Sequence, residues 1–203
     1  MAITIYTVGH SNLNQEEFVE LLKKHHISVV IDVRSQPFSS RFPHFNKHEL
    51  QTCLEKFRIF YNYRGDKLGG RPKNPALYKN QRISYELIGR DKEFIEALNE
   101  LISLAIEKKI ALMCSEKDPI ECHRGLLIGR NLKDKGVSVQ HILSDGSLES
   151  QEDLEKRMMR ESPDQLSFFM DDEKLKSAYR RQEEKIMKKL VKKDESYGNR
   201  EKR

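Results

Sequence analysis

Three short groups of residues in this chain are of the types that do chemistry. His10-Ser11 follow Gly9, Arg34 stands two positions after Asp32, and Cys114-Ser115-Glu116 are followed by Cys122-His123-Arg124. A thiol beside cations or a helix start loses its proton readily and becomes a nucleophile. Imidazoles and carboxylates move protons. Guanidinium forks hold phosphate or carboxylate bidentately. On residue type, His10, Cys114, Glu116 and His123 are the catalytic candidates, with Cys114 as nucleophile and Glu116 as general acid or base. Ser11, Asp32, Arg34, Arg41 and Arg124, together with Gly69 and Gly70, are the candidates for substrate binding. Plainer readings stand beside these. Asp32 and Arg34 can pair with each other, Cys114 can be a small buried apolar residue, and Gly69-Gly70 can simply turn the chain. Cys53 lies mid-helix and reads as structural.

Several chemistries are excluded by pattern. Cys114, Cys122 and His123 could supply three zinc ligands, but the short cysteine pairs of structural zinc sites are missing, so no metal is expected. Neither Cys114 nor Cys122 is followed by the five residues and Arg of a tyrosine phosphatase loop. There is no Walker loop, no glycine-rich dinucleotide fingerprint and no Gly-x-Ser-x-Gly elbow. No cofactor is indicated.

The elements that must position these groups follow from hydrophobic periodicity. Residues 3–8 and 27–33 read as strands around a helix whose start carries a capping box, Asn14 with Glu17, and a hydrophobic staple, Leu13 with Phe18. Residues 48–57 read as a helix, 58–63 as a short strand and 65–80 as a loop. A long helix over 91–108 precedes the apolar strand 110–114. Asp118 and Pro119 start a helix that runs to Gly136, and 137–143 alternates like an edge strand. The order is β-α-β, an insert, then β-α-β. This predicts an α/β fold, an open, mostly parallel sheet with helices on both faces (Rossmann-like). In such sheets ligands bind outside the carboxyl ends of the strands, which is where all three groups fall.

The composition shifts near residue 148. Residues 1–148 form the α/β domain, 149–193 a charged helical extension packed on the core, and 194–203 a disordered tail. Leu175, Ala178, Tyr179, Gln182 and Ile186 form the docking face of the last helix. Lys and Arg total 37 against 32 Asp and Glu, a net charge of +5, which permits nucleic acid as a partner without demanding it. No apolar run is long enough to span a bilayer, so no membrane is expected. The first residues lack a basic region and a cleavage pattern, and three cysteines make no disulfide framework, which points to the cytoplasm.

Assembled, the motifs resemble the domain of unknown function 488 family. The residues that carry the likeness are Thr7-Val8-Gly9-His10-Ser11, Asp32-Val33-Arg34 with Pro37, Ser40 and Arg41, Leu68-Gly69-Gly70, Cys114-Ser115-Glu116 and Cys122-His123-Arg124. Leu166-Ser167-Phe168-Phe169 and Ala178-Tyr179 resemble extensions common in that family. The resemblance implies the α/β fold and a polar pocket, but no settled activity. Rhodanese-like domains are similar in architecture alone. The reading is a cytoplasmic enzyme with a polar Cys, His, Arg and Glu pocket, acting on a phosphate-bearing nucleotide or nucleic acid. A non-catalytic nucleotide- or phosphate-binding module is the alternative. An anionic small molecule is the expected partner in both.

Overall fold

The computed structural model describes residues 3–161 and 171–198. Its first strand, β1 (Thr4–Gly9), leads into α1 (Gln15–Lys24) and then β2 (Val29–Asp32). The capping box forms: the Glu17 N–H donates to Asn14 Oδ1 at 2.8 Å and the Asn14 N–H to Glu17 Oε2 at 2.9 Å. Next come α2 (Lys47–Lys56), β3 (Phe60–Tyr63), the single turn α3 (Gly65–Leu68) and a hairpin of β4 (Tyr78–Lys79) and β5 (Arg82–Ile83). α4 (Tyr85–Arg90) and α5 (Lys92–Glu107) precede β6 (Ile110–Cys114). A π-helical segment, Arg124–Gly129, runs into α6 (Arg130–Asp134). β7 (Ser138–Ile142), β8 (Leu148–Ser150), α7 (Gln151–Arg160) and α8 (Asp171–Gly198) complete the described chain.

The main sheet has the order β3-β2-β6-β1-β7-β8. Every pairing is parallel except that of β7 with β8. Strand alternation sends successive side chains to opposite faces. Val30, Ala111 and Met113 pack with Phe18 and Leu22 of α1 and with Leu50 and Leu54 of α2. Val29, Ile31, Leu112 and Cys114 pack on the other side with Phe94 and Leu98 of α5 and with Leu127 and Leu132. Helices therefore cover both faces, and β6, and β2 as far as Ile31, are apolar because neither face meets water. This is the open α/β sheet that the sequence predicts.

The topology places one crevice. β1 and β6 are neighbours, yet the chain leaves β1 through α1 on one face and leaves β6 through α6 on the other. Their carboxyl ends thus flank a switch point, the usual ligand crevice of such sheets.

Four expectations are corrected. Strand β7 is internal, because the short β8 covers it, and three residues, two of them polar, carry no strand signal. The helix expected from Asp118 is broken. Asp118 does accept the Ile120 N–H at 3.0 Å, but only a single 3-10 turn, Pro119–Glu121, follows before Cys122 turns extended. The expected loop 65–80 holds α3 and the start of the hairpin. The last helix continues through Gly198, into the stretch expected to be disordered. Ala178, Tyr179, Gln182 and Ile186 are buried along it. Leu166-Ser167-Phe168-Phe169 and residues 199–203 lie outside the described residues. Among the described residues no helix is long and apolar enough to cross a membrane.

Candidate functional site

The three strand ends are brought level by register. Gly9 lies opposite Cys114, and Asp32 opposite Met113. The ladder continues past the strands. The His10 N–H donates to the Cys114 carbonyl at 2.9 Å, Ser11 to Ser115 at 2.9 Å, and Val33 to Met113 at 3.1 Å. His10, Arg34 and Cys114 therefore emerge side by side. The break at Cys122 returns the chain to the same place.

Two thiols, an imidazole and a carboxylate meet there. Glu116 Oε2 lies 3.0 Å from Cys114 Sγ and 3.2 Å from Cys122 Sγ. His123 Nδ1 lies 3.6 Å from the first sulfur and 3.7 Å from the second. Both cysteines and His123 are buried. Glu116 is an exposed residue that turns its carboxylate inward onto the sulfurs. The other imidazole nitrogen, Nε2, is 3.0 Å from the Val33 carbonyl. A carbonyl only accepts, so Nε2 carries a proton and Nδ1 is the atom presented to the thiols. Gly70 closes the remaining side, since a Cβ there would stand 2.9 Å from both Cβ and Cγ of His123.

The two thiols differ. Burial, the neighbouring Cys122 and the Glu116 charge hold the Cys114 thiol well above its ordinary range. Burial opposes ionisation of Cys122 too, but the adjacent Cys114 thiol, the Arg124 guanidinium and His123 outweigh it and hold Cys122 well below the ordinary range. The sequence expects the more acidic thiol at Cys114, whereas the charges around the two sulfurs favour Cys122. The reason is local. Cys114 ends a buried strand, whereas Cys122 immediately precedes a helical start, with the Arg124 N–H 3.5 Å from its sulfur. Burial lowers His123, but the Cys122 charge and hydrogen bond prevail and raise it. Glu116 is raised by burial of its tip and then by Cys122.

The arginines are engaged internally. Arg34 forks onto Asp32, with Nε to Oδ1 at 2.9 Å and Nη2 to Oδ2 at 2.7 Å, and also donates to the Phe45 carbonyl at 2.8 Å. Arg124 is wholly buried and donates to the backbone carbonyls of Glu116 and Lys117, bracing the loop that carries the carboxylate. Only Arg41 among the three anion candidates is exposed, its guanidinium 5.3 Å from the Phe42 ring. His10 stacks on Phe45 at 4.2 Å. Its Nδ1 lies 3.1 Å from the Ser11 carbonyl and its Nε2 3.4 Å from Arg34 Nη1. Burial and then the Arg34 charge lower its pKa to about 4. Both its nitrogens have neighbours within the chain, the Ser11 carbonyl and the Arg34 guanidinium.

The remaining candidates sit at the rim. Ser11 is half-buried, with a φ of 46° that L residues rarely adopt. A Cβ on Gly69 would stand 2.3 Å from the Gly65 carbonyl oxygen and 2.5 Å from Ser35 Oγ, so this glycine serves close packing. Cys53 is buried in α2, away from the cluster, as expected of a structural residue. Sequence reasoning missed Tyr61, whose hydroxyl donates to Asp32 Oδ2 at 2.7 Å, and the carbonyls of Val33 and Phe45. Tyr61 carried a signal, since it lies on the neighbouring strand diagonal to Asp32. Carbonyl partners carry none.

The family profile for the domain of unknown function DUF488 matches residues 14–130. No curated protein and no solved structure matches the chain.

Proposed function

The chain belongs to the family of the domain of unknown function DUF488, and we propose that its crevice is the active site of a cytoplasmic enzyme acting on an anionic, phosphate-bearing substrate of the nucleotide or nucleic-acid class. The observation that carries this is Glu116. An otherwise exposed residue turns its carboxylate onto two buried sulfurs, beside an imidazole, at a sheet switch point. A carboxylate that bridges solvent and a dry reactive cluster is placed to move a proton to or from a bound substrate. Arg41, exposed on the loop after β2, is the cation left for the anion, because Arg34 and Arg124 are bonded within the chain. That engagement leaves Arg41 as the anion contact for the enzyme and for the non-catalytic module alike. Three free cysteines suit a reducing compartment.

The test is a panel of phosphate-bearing metabolites and short oligonucleotides, read by thermal stabilisation and by product formation. A ligand that binds only the folded chain raises its stability. With such a compound, Glu116→Gln is expected to lower turnover by at least about 100-fold while the stabilisation remains. Arg41→Ala is expected to weaken the stabilisation. A compound that stabilises the wild type and is never turned over makes the protein a binding module. No stabilisation by any of them removes the anionic substrate.

A further inference from the structure

We propose that Cys114 Sγ, Cys122 Sγ and His123 Nδ1 bind one zinc ion, with its fourth coordination position beside Glu116. This deepens the reading above, and rests on it only for the ion's role in catalysis. The three atoms lie within 4.8 Å of one another. Tetrahedral zinc, with Zn–S about 2.3 Å and Zn–N about 2.0 Å, sets its sulfur and nitrogen ligands about 3.5 Å apart. The sulfur-to-Nδ1 distances here are 3.6 and 3.7 Å. The pocket is thus close to ligand spacing before any ion arrives.

The imidazole is oriented as a ligand. Metal-bound histidines commonly donate their second N–H to a carbonyl or carboxylate, which fixes the tautomer and the ring plane. The Val33 carbonyl does this at Nε2. Gly70 seats the ring from the other side, since any side chain there would collide with it. Two sulfurs and an imidazole nitrogen are soft donors, the set that selects zinc over magnesium or calcium. Three protein ligands leave a position open, as in catalytic rather than structural zinc sites. Glu116 lies against both sulfurs and reaches the cluster from the surface, which gives the ion an entry path and the open position a proton acceptor.

In sequence, the spacing of Cys114 and Cys122 speaks against a metal. Structural zinc sites use short cysteine pairs because one tight loop must hold both ligands. Here β6 fixes one sulfur and the turn after Pro119–Glu121 fixes the other, so the sheet replaces the tight loop.

The experiment uses the full chain, purified under reductant. Metal content is measured after dialysis, and the zinc-free wild type is titrated with cobalt(II) and followed by its absorption. The expected result is one zinc per chain, and a cobalt spectrum with sulfur-to-metal charge transfer and tetrahedral visible bands. Cys114→Ser and Cys122→Ser are expected to retain less than about a tenth of the zinc, whereas Cys53→Ser retains all of it. Glu116→Gln is expected to keep the zinc and lose turnover. A wild type that holds no zinc and gives no thiolate-to-cobalt band overturns the proposal, whatever the variants do. Equal zinc in the wild type and both serine variants at the site also overturns it. Bound zinc with no turnover of any substrate leaves the metal site standing and sinks the enzyme reading instead.

Discussion

Asp32 and Arg34 form a buried charged pair beside the site. Both are buried, and the guanidinium meets the carboxylate with two nitrogens. Tyr61 supplies a further donor to Asp32, and the Phe45 carbonyl a further acceptor for Arg34. A buried pair like this is held by geometry, and a partner that cannot reproduce the fork leaves a carboxylate partly unmet. Arg34→Lys keeps the charge and loses the fork. We expect it to lower stability by about 3 kcal/mol, read as a shift in the urea midpoint at unchanged slope. Arg41→Lys, at an exposed position, is expected to change stability by less than about 0.5 kcal/mol. Equal midpoints for the wild type and Arg34→Lys would show that the pair does not hold the loop. At this scale the sequence revealed positions better than partners. His10, Arg34, Cys114 and Glu116 are legible because each lies at or just past a strand end, and His123 because it opens a helix. Which thiol ionises was not visible, because Arg124 and His123 approach Cys122 only once the extended residue breaks the expected helix.

The π-helical segment is the element that makes the site's geometry possible. Its wide turn carries two glycines at close contacts, one to backbone and one to a side chain. A Cβ on Gly125 would stand 2.5 Å from the Pro119 carbonyl oxygen, and one on Gly129 would stand 2.3 Å from Gln151 Oε1. The first keeps the short turn before Cys122 against the helix, and the second admits the start of α7. Inserted atoms in a packed interior force rotamer and backbone shifts costing about 1–3 kcal/mol. Gly129→Ala is expected to fall in that range, measured by denaturant unfolding. The cost is expected to reach the site as a lower zinc content, because His123 immediately precedes the same segment. A Gly129→Ala protein with wild-type stability would mean that Gln151 moves aside freely. Elements with strong local signals were legible: the capping box of α1, the apolar strands β2 and β6, and the stripe of α5. Those set by tertiary contact were not. Strand β8 is three residues, two of them polar, that pair with β7, and the turn Pro119–Glu121 stops where Cys122 turns extended.

Across the whole molecule, a chain of buried polar groups joins the sheet to the C-terminal helices. The Thr7 hydroxyl meets His141 Nδ1 at 2.7 Å, and His141 Nε2 meets Gln151 Oε1 at 2.9 Å. Gln151 donates to the Tyr179 hydroxyl at 2.9 Å, and that hydroxyl donates to Glu155 at 2.7 Å. Lys133 closes the chain on Glu155. β1, β7, α7 and α8 are thus linked through one neutral imidazole, which accepts at Nδ1 and donates at Nε2. Protonation would give His141 a second donor facing the Thr7 hydroxyl. Burial, followed by the Arg124 charge, lowers its pKa from the ordinary 6.5 to about 3. The sign of the pH effect follows. Below pH 6.5 the unfolded chain takes up a proton that the folded chain refuses, so acid favours unfolding until the folded pKa is reached near 3. The loss has a slope of about 1.4 kcal/mol per pH unit for one such group. Above pH 6.5 His141 contributes no pH dependence. Unfolding free energies measured between roughly pH 6 and 4 are therefore expected to fall more steeply for the wild type than for His141→Gln, by about one bound proton. The slope is the readout, because His141→Gln is also expected to lower stability by a constant amount at every pH through its changed hydrogen bonds. Parallel slopes for the two proteins would show that His141 titrates normally in the folded state. The polar chain would then not hold the helices to the sheet through a neutral ring.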